Sequence, residues 1–153
     1  DLRALVRRNI ELVRPAAVAK DIRIVSDLNT PFYVFTDLNC ADTILRNLLS
    51  NAVKFSRVGG SVEIVTTMSD DHVSLSVVDH GVGMTEQQKA SIFKLDRIST
   101  LGTKEETGTG LGLIVCKTMA RMINGDLSFT SEEGNGSTFT FTLPLDEKAV
   151  KQS

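Results

Sequence analysis

The chain is 153 residues long, with 41% hydrophobic residues and a formal net charge of −2. That is one domain's length, with enough apolar content to bury a core. The balance of charge leaves no basic excess for a nucleic-acid surface, and no apolar run is long enough to span a membrane or to open a secretory signal. Cys40 and Cys116 stand alone, without a C-x-x-C or Cys/His cluster. Neither a disulfide framework nor a zinc site is expected, and free thiols in a reducing, cytoplasmic compartment are the expectation.

The first element is helical: Leu2, Leu5, Val6, Ile10 and Val13 recur at helix spacing until Pro15. With no start methionine and no polar lead-in, the chain reads as a domain excised from a longer protein. Ile22, Ile24 and Leu28 alternate with polar residues as a strand, and Pro31 to Thr36 reads as a second extended piece. Asp37 is placed to cap the next helix, and the Gly59-Gly60 pair ends that region.

That helix contains N-L-L-S-N-A-V-K-F-S, Asn47 to Ser56. Ile44, Leu45, Leu48, Leu49, Ala52 and Val53 form an apolar stripe, with Asn47, Asn51 and Lys54 on the opposite side at i, i+4, i+7. A solvated face is the plain alternative. Asparagine is a poor helix former, however, and solvated faces more often carry Glu, Lys, Arg or Gln. Two amides and an ammonium suit a magnesium ion and phosphate oxygens: an amide carbonyl is a hard neutral ligand, and the lysine adds a point charge for an anion.

Two strands follow, Ser61 to Met68 and His72 to Asp79, joined by the polar turn Ser69-Asp70-Asp71 as a hairpin. A short helix is expected from Thr85, its cap, to Phe93. Lys94 to Thr109 has no sustained apolar period, and a structureless loop of that length is usually functional or mobile. Leu111 to Ile123 reads as a helix with Val115, Met119 and Met122 on one face, stopped by Asn124-Gly125. A last hairpin has Leu127 and Phe129, the turn Glu133-Gly134-Asn135-Gly136, then Phe139, Phe141 and Leu143 alternating with threonines. The charged tail after Pro144 reads as frayed or a linker, so the domain is expected to span 1–145, with 146–153 as tail. The irregular alternation of helices with hairpin strands argues an α+β, two-layer sandwich: a mixed, mainly antiparallel sheet with helices on one face.

Two further segments carry chemistry. D-H-G-V-G-M, Asp79 to Met84, ends a strand on a carboxylate. A D-x-G turn is common after any strand. A carboxylate offers only acceptors, though, so it selects the exocyclic amine of adenine over a keto group. Gly81 and Gly83 lack a Cβ and would let backbone lie close to a planar base, with Met84 as a soft apolar wall. G-T-G-L-G-L, Gly108 to Leu113, precedes a helix, whose unhindered N–H groups form an anion site. A dinucleotide-binding turn would need G-x-G-x-x-G after a strand, and a P-loop would need Gly-Lys-Ser/Thr; neither is present.

In this order, the three segments resemble the ATP-binding catalytic domain of sensor histidine kinases, in the superfamily shared with DNA gyrase, mismatch-repair ATPases and heat-shock chaperone ATPases. The resemblance covers nearly the whole chain, including G-N-G-S-T-F-T-F-T-L-P at 134–144. N-L-L-x-N-A-x-K-F is its most specific part. The resemblance implies that Asn51 is the protein ligand of Mg²⁺, that Asn47 sits beside it near the phosphates, and that Lys54 contacts phosphate oxygens. Phe55 would border adenine or ribose, Asp79 would read adenine N6, and Gly81, Gly83 and Met84 would line the base. Gly108, Gly110 and Gly112, interleaved with Thr109 and Leu111 and preceded by Thr107, would form the hinge and phosphate end of a mobile lid. That lid would be Lys94 to Thr107, with Arg97 reaching the γ-phosphate. Where the family often has a second aromatic three residues after Phe93, this chain has Asp96, which leaves the lid packing open. His80, between Asp79 and Gly81, is unusual but can point away.

In the hydrolysing members of the superfamily, a Glu one helical turn before the metal-binding Asn serves as general base. Here that position is Asn47, whose amide cannot take a proton, and losing a general base costs ~10²–10⁴ in rate. The expectation is a domain that holds Mg-ATP without hydrolysing it efficiently, with Asn47, Lys54 and Arg97 as the catalytic set. Phosphoryl transfer needs mostly positioning and charge neutralisation. The family's phosphoacceptor His lies on a preceding dimerisation helix. Neither His72, followed by Val-Ser-Leu, nor His80, followed by Gly-Val-Gly, has the acidic and Thr-Pro residues that mark it. The implied partners are the dimerisation helices of the same protein and, indirectly, a response regulator. This domain is expected to be monomeric and to touch neither nucleic acid nor membrane, although the parent could be membrane-anchored. The alternatives are a degenerate ATP-binding or docking module, and a serine kinase of the anti-sigma type, whose product would be acid-stable.

Overall fold

A computed structural model of the chain describes residues 1–28, 33–34, 36–93 and 112–145. Helix α1 (Leu2–Ala19) and helix α2 (Leu38–Phe55) flank strand β1 (Arg23–Asp27) in the chain. Then come β2 (Ser61–Met68), β3 (His72–Asp79), the short α3 (Glu86–Ser91), α4 (Gly112–Met122), β4 (Asp126–Glu132) and β5 (Gly136–Pro144). The five strands form one sheet in the order β1-β2-β3-β5-β4. β1 and β2 are parallel and every other pair is antiparallel. The expected mixed, mainly antiparallel sheet is therefore what forms.

Period-two alternation sorts the sheet's two faces. Val73, Leu75 and Val77 of β3 are buried, and Phe141 and Phe139 stand opposite Leu75 and Val77 on β5. On the other face Ser74 and Ser76 pair their hydroxyls with Thr142 and Thr140, at 3.1 and 2.9 Å. The helices cover the apolar face only: α2 packs on β3, α4 on β4 and α1 on β1. α2 is central, with α1 and α4 against it. Its stripe of Ile44, Leu45, Leu48, Leu49, Ala52 and Val53 is buried as expected. Asp37 caps it by accepting from the N–H of Cys40. Both cysteines are free thiols, and burial pushes Cys116 up to about 12.

Two expectations need correction. α1 does not stop at Pro15 but continues to Ala19. The missing N–H of Pro15 would have bonded the carbonyl of Glu11, on the exposed side of the helix. The burial of Ala17 holds the last turn in place. The face of α4 carrying Val115 and Met122 is not the core face, since these residues are 45% and 72% exposed. Leu113, Cys116 and Ala120 face inward instead, with Met119 at their margin. Of the extended piece expected over 31–36, residues 31, 32 and 35 lie outside the described residues, and Val34 bridges Leu145.

The smaller elements follow local chemistry. Thr85 and Gln88 form a reciprocal capping box at α3, which ends at Ser91 rather than Phe93. Asn124 takes the left-handed conformation (φ 63°) that ends α4. Among the described residues, no helix is long and apolar enough to cross a membrane.

Candidate functional site

The site begins with the face on which Asp79 lies. It continues the row Val73, Leu75, Val77, so the alternation that buries those side chains also turns its carboxylate inward, at 5% exposure. Oδ1 accepts the N–H of Gly81 at 3.0 Å and that of Ser137, its partner across the β3–β5 ladder, at 3.3 Å. Burial raises the carboxyl above its ordinary value, and these two N–H groups only partly counter it. No cation is bonded to it among the described residues, and it borders a cleft.

The cleft is mostly apolar. Ala52 and Phe55 of α2 line it together with Val82, Met84, Ile92, Leu113 and Phe139. Asn51, Gln88 and Ser137 add polar groups. Of the residues expected at the site, the structure brings Asn51, Phe55, Asp79, Gly83 and Met84 to this one cleft.

Asn47 and Lys54 lie beside the cleft rather than in its lining. Asn47 donates to the carbonyl of Thr43 at 2.8 Å, one turn back. This holds its Oδ1 against the start of α4, only 2.8 Å from where a Cβ on Gly112 would stand. Two segments far apart in sequence, the Asn-bearing helix and the end of the glycine run, thus meet at Asn47. Lys54 places its Nζ over the ring of Phe55, 4.9 Å from the centroid. Arg97, Thr107, Gly108, Thr109, Gly110 and Leu111, and the Lys94 to Thr107 lid, lie outside the described residues.

Gly81 and Gly83 owe their lack of a Cβ to protein backbone. A Cβ on Gly81 would lie 1.9 Å from the carbonyl oxygen of Phe55, and one on Gly83 2.0 Å from that of Glu132. Gly83 also has φ +65°, where side chains are strained. The turn between them is tied on both sides. The N–H of Val82 donates to the Phe55 carbonyl at 3.3 Å, and the Val82 carbonyl accepts from the N–H of Gly134 at 2.8 Å. Gly83 borders the cleft, whereas Gly81 does not.

Sequence reasoning missed Ser137, Gln88 and the aromatic run behind the cleft. Phe93 meets Phe129 edge-on at 5.6 Å, Phe129 stacks on Phe139 at 5.6 Å, and Lys117 lies 5.3 Å from the Phe93 centroid. The G-N-G-S-T run was the available signal for Ser137, but only the strand register sets its N–H against Asp79. His80 points outward as expected, with its Nε2 3.3 Å from a carboxylate oxygen of Glu63. His72 is bonded to Asp71 at the surface.

Comparison with known proteins agrees with this geometry. Residues 36–147 match the family described as histidine kinase-, DNA gyrase B- and HSP90-like ATPase. The chain is 33% identical to the sensor protein EvgS of Escherichia coli strain K12 over 95% of its own length, but spans only 13% of EvgS. It superposes on a mycobacterial sensor histidine kinase, MprB, with a TM-score of 0.80 at 26% identity, covering 95% of both chains. A full-length ShkA structure in complex with AMPPNP matches 95% of this chain and 30% of its own, with a TM-score of 0.78 at 31% identity.

Proposed function

The chain belongs to the family of histidine kinase-, DNA gyrase B- and HSP90-like ATPases, and from that premise we propose that it is the ATP-binding catalytic domain of a two-component sensor histidine kinase. It binds Mg-ATP and transfers the γ-phosphate to a histidine outside residues 1–153, on a dimerisation helix of the same protein. The unit that does this is residues 1–145. The observation that carries the reading is Asp79: a buried carboxylate without a bonded cation among the described residues, lining the same apolar cleft as Asn51, Ala52 and Phe55 of α2. A base that presents an amine to Asp79 gains a hydrogen bond in a desolvated site, while a keto group there meets two acceptors face to face.

The donor set fits magnesium and phosphate. Asn51, whose amide oxygen is a hard ligand, lines the cleft, and the Asn47 amide oxygen stands at the start of α4. When bound, the ion supplies charge neutralisation at the phosphate oxygens. On this reading Lys54 adds a cation for the phosphates, and the roles proposed for Arg97 and for Thr107 to Gly112 are contacts to the phosphate end. Asn47 supports transfer over hydrolysis, because its side chain is already donating to Thr43 and offers no basic group to a water. On this reading a response regulator is the next recipient of the phosphoryl group, and the domain acts in the cytoplasm.

Calorimetric titration tests the reading. ATP is expected to bind and GTP not, and Mg²⁺ is expected to tighten ATP binding. Asn51→Ala is expected to bind ATP as the wild type does without Mg²⁺, having lost the metal's contribution. Equal binding of ATP and GTP would sink the adenine assignment. Mixed with the dimerisation helices of its parent protein, the domain should give an acid-labile phosphohistidine; an acid-stable product would point to a serine kinase.

A further inference from the structure

An α-helix leaves its last four carbonyls without intrahelical partners. At the end of α2 all four are nonetheless bonded. Ala52 accepts from the N–H and hydroxyl of Ser56, at 3.0 and 2.6 Å. Phe55 accepts from Val82. The middle two, Val53 and Lys54, both accept from the Nζ of Lys20, at 3.0 and 2.8 Å. Lys20 is 4% exposed and lies 33 residues earlier in the chain, at the C-cap of α1. Its ammonium therefore sits at the negative end of the α2 dipole, where a cation is favoured. Its own carbonyl accepts from Gly59, and Arg23 at the start of β1 bonds Gly60, so backbone and side chain together grip the segment that leaves α2.

The gripped turn is the one that borders the cleft. Lys54 and Phe55 stand on it, and the Phe55 carbonyl bonds Val82 and fits against Gly81 too closely for any Cβ. A shift of a few tenths of an ångström in that carbonyl must be passed to the Gly81–Val82 turn, since close-packed backbone has no slack to absorb it. We propose that Lys20 is a positioning residue of the nucleotide site. By holding the Val53 and Lys54 carbonyls it sets the end of α2, and with it Phe55, Lys54 and the turn after Asp79. The proposal rests on the nucleotide reading above.

Lys20→Met keeps the length and apolar stem of the side chain and removes its donors. At a temperature where circular dichroism shows the variant fully folded, its Kd for Mg-ATP is expected to weaken about tenfold, and Lys20→Arg to recover most of that. Asn9→Leu serves as the comparison. It removes a buried amide of the α1–α2 interface, away from the cleft, so it should lower Tm and leave the Kd unchanged. A Lys20→Met protein with a lowered Tm and a Kd within about twofold of wild type would reduce Lys20 to a helix cap. If Lys20→Met does not fold, Lys20→Leu, which likewise has no donor, is read by the same criterion. Failure of the wild type to bind ATP would instead overturn the nucleotide reading, and this proposal with it.

Discussion

The α1–α2 interface and the cleft each bury an aspartate, and the fold treats the two in opposite ways. Asp42, 8% exposed, accepts from the Asn9 amide at 2.9 Å and is paired with Arg8 at 2.6 Å and Arg46 at 2.9 Å. The Asn9 hydrogen bond, then that from Arg8 and the charges of both arginines, hold its carboxyl below the usual range despite burial. Asp79, 5% exposed, has two backbone N–H groups on one oxygen, and burial raises its carboxyl. The first carboxylate is satisfied by its own protein. The second keeps acceptor capacity facing a cleft, in surroundings that penalise its charge, and groups held that way mark binding sites. Burial alone does not separate a structural acid from a recognition acid; what the protein leaves unbonded does.

Asp79→Asn breaks the comparison most severely. It should weaken ATP binding about a hundredfold, because the adenine amine then meets an amide able to donate back. Tm should hold or rise, since a desolvated charge is removed. An unchanged Kd would mean that the open acceptor of Asp79 has no ligand. Next come the glycines beside it. Gly83→Ala adds a Cβ 2.0 Å from a carbonyl oxygen at positive φ, and should cost about 3 kcal/mol of stability by thermal or urea unfolding. A variant that loses ATP affinity at wild-type stability would return the glycine to the base-contact role expected from sequence.

Asp42→Ala should cost less, about 1–2 kcal/mol. Arg8 and Arg46 are more than half exposed and can rehydrate, so the main loss is the buried Asn9 amide. Its Kd for ATP should stay within about twofold of wild type. A larger loss of affinity would show that the two regions are coupled through α2, and the distinction between them would fail.

Elements whose residues answer to a single period were legible in advance. β2 and β3 start and end where the alternation places them, and Asp79 falls inward because Val73, Leu75 and Val77 do. α4 departs from the pattern of its largest apolar side chains, because Val115 and Met122 face outward. The core side of that helix carries Cys116 and Ala120, where α2 packs closely. Asn51, Phe55, Asp79 and Met84 could be named because they lie within short, chemically distinctive runs. Ser137 and Lys20 could not, since their bonds to the site cross 58 and 33 residues and exist only once the sheet register and the α1–α2 packing are set. Gly81 and Gly83 were noticed for a ligand and turned out to be required by neighbouring backbone.

The smallest effect is a difference in sign with pH. Asp42 titrates lower in the folded protein than its ordinary value, around 4 in an unfolded chain. In the interval between the two values the unfolded state holds more of this proton. Its stabilisation is therefore present above about pH 4 and lost as pH falls through the folded value. Asp79 titrates higher when folded, so there the folded state holds more of the proton. Stability is favoured below the unfolded value and is lost as pH rises through the folded one. Neither slope can exceed about 1.4 kcal/mol per pH unit. Urea unfolding of wild type, Asp42→Asn and Asp79→Asn across the acid range separates the two. Relative to wild type, Asp42→Asn should become progressively less stable as pH rises from acid, and Asp79→Asn progressively more stable. The asparagine at either position cannot titrate, so the difference from wild type isolates one carboxyl at a time. Slopes of the same sign would mean that Asp79, like Asp42, is satisfied within the fold, and the cleft would lose the acceptor on which its affinity for an amine depends.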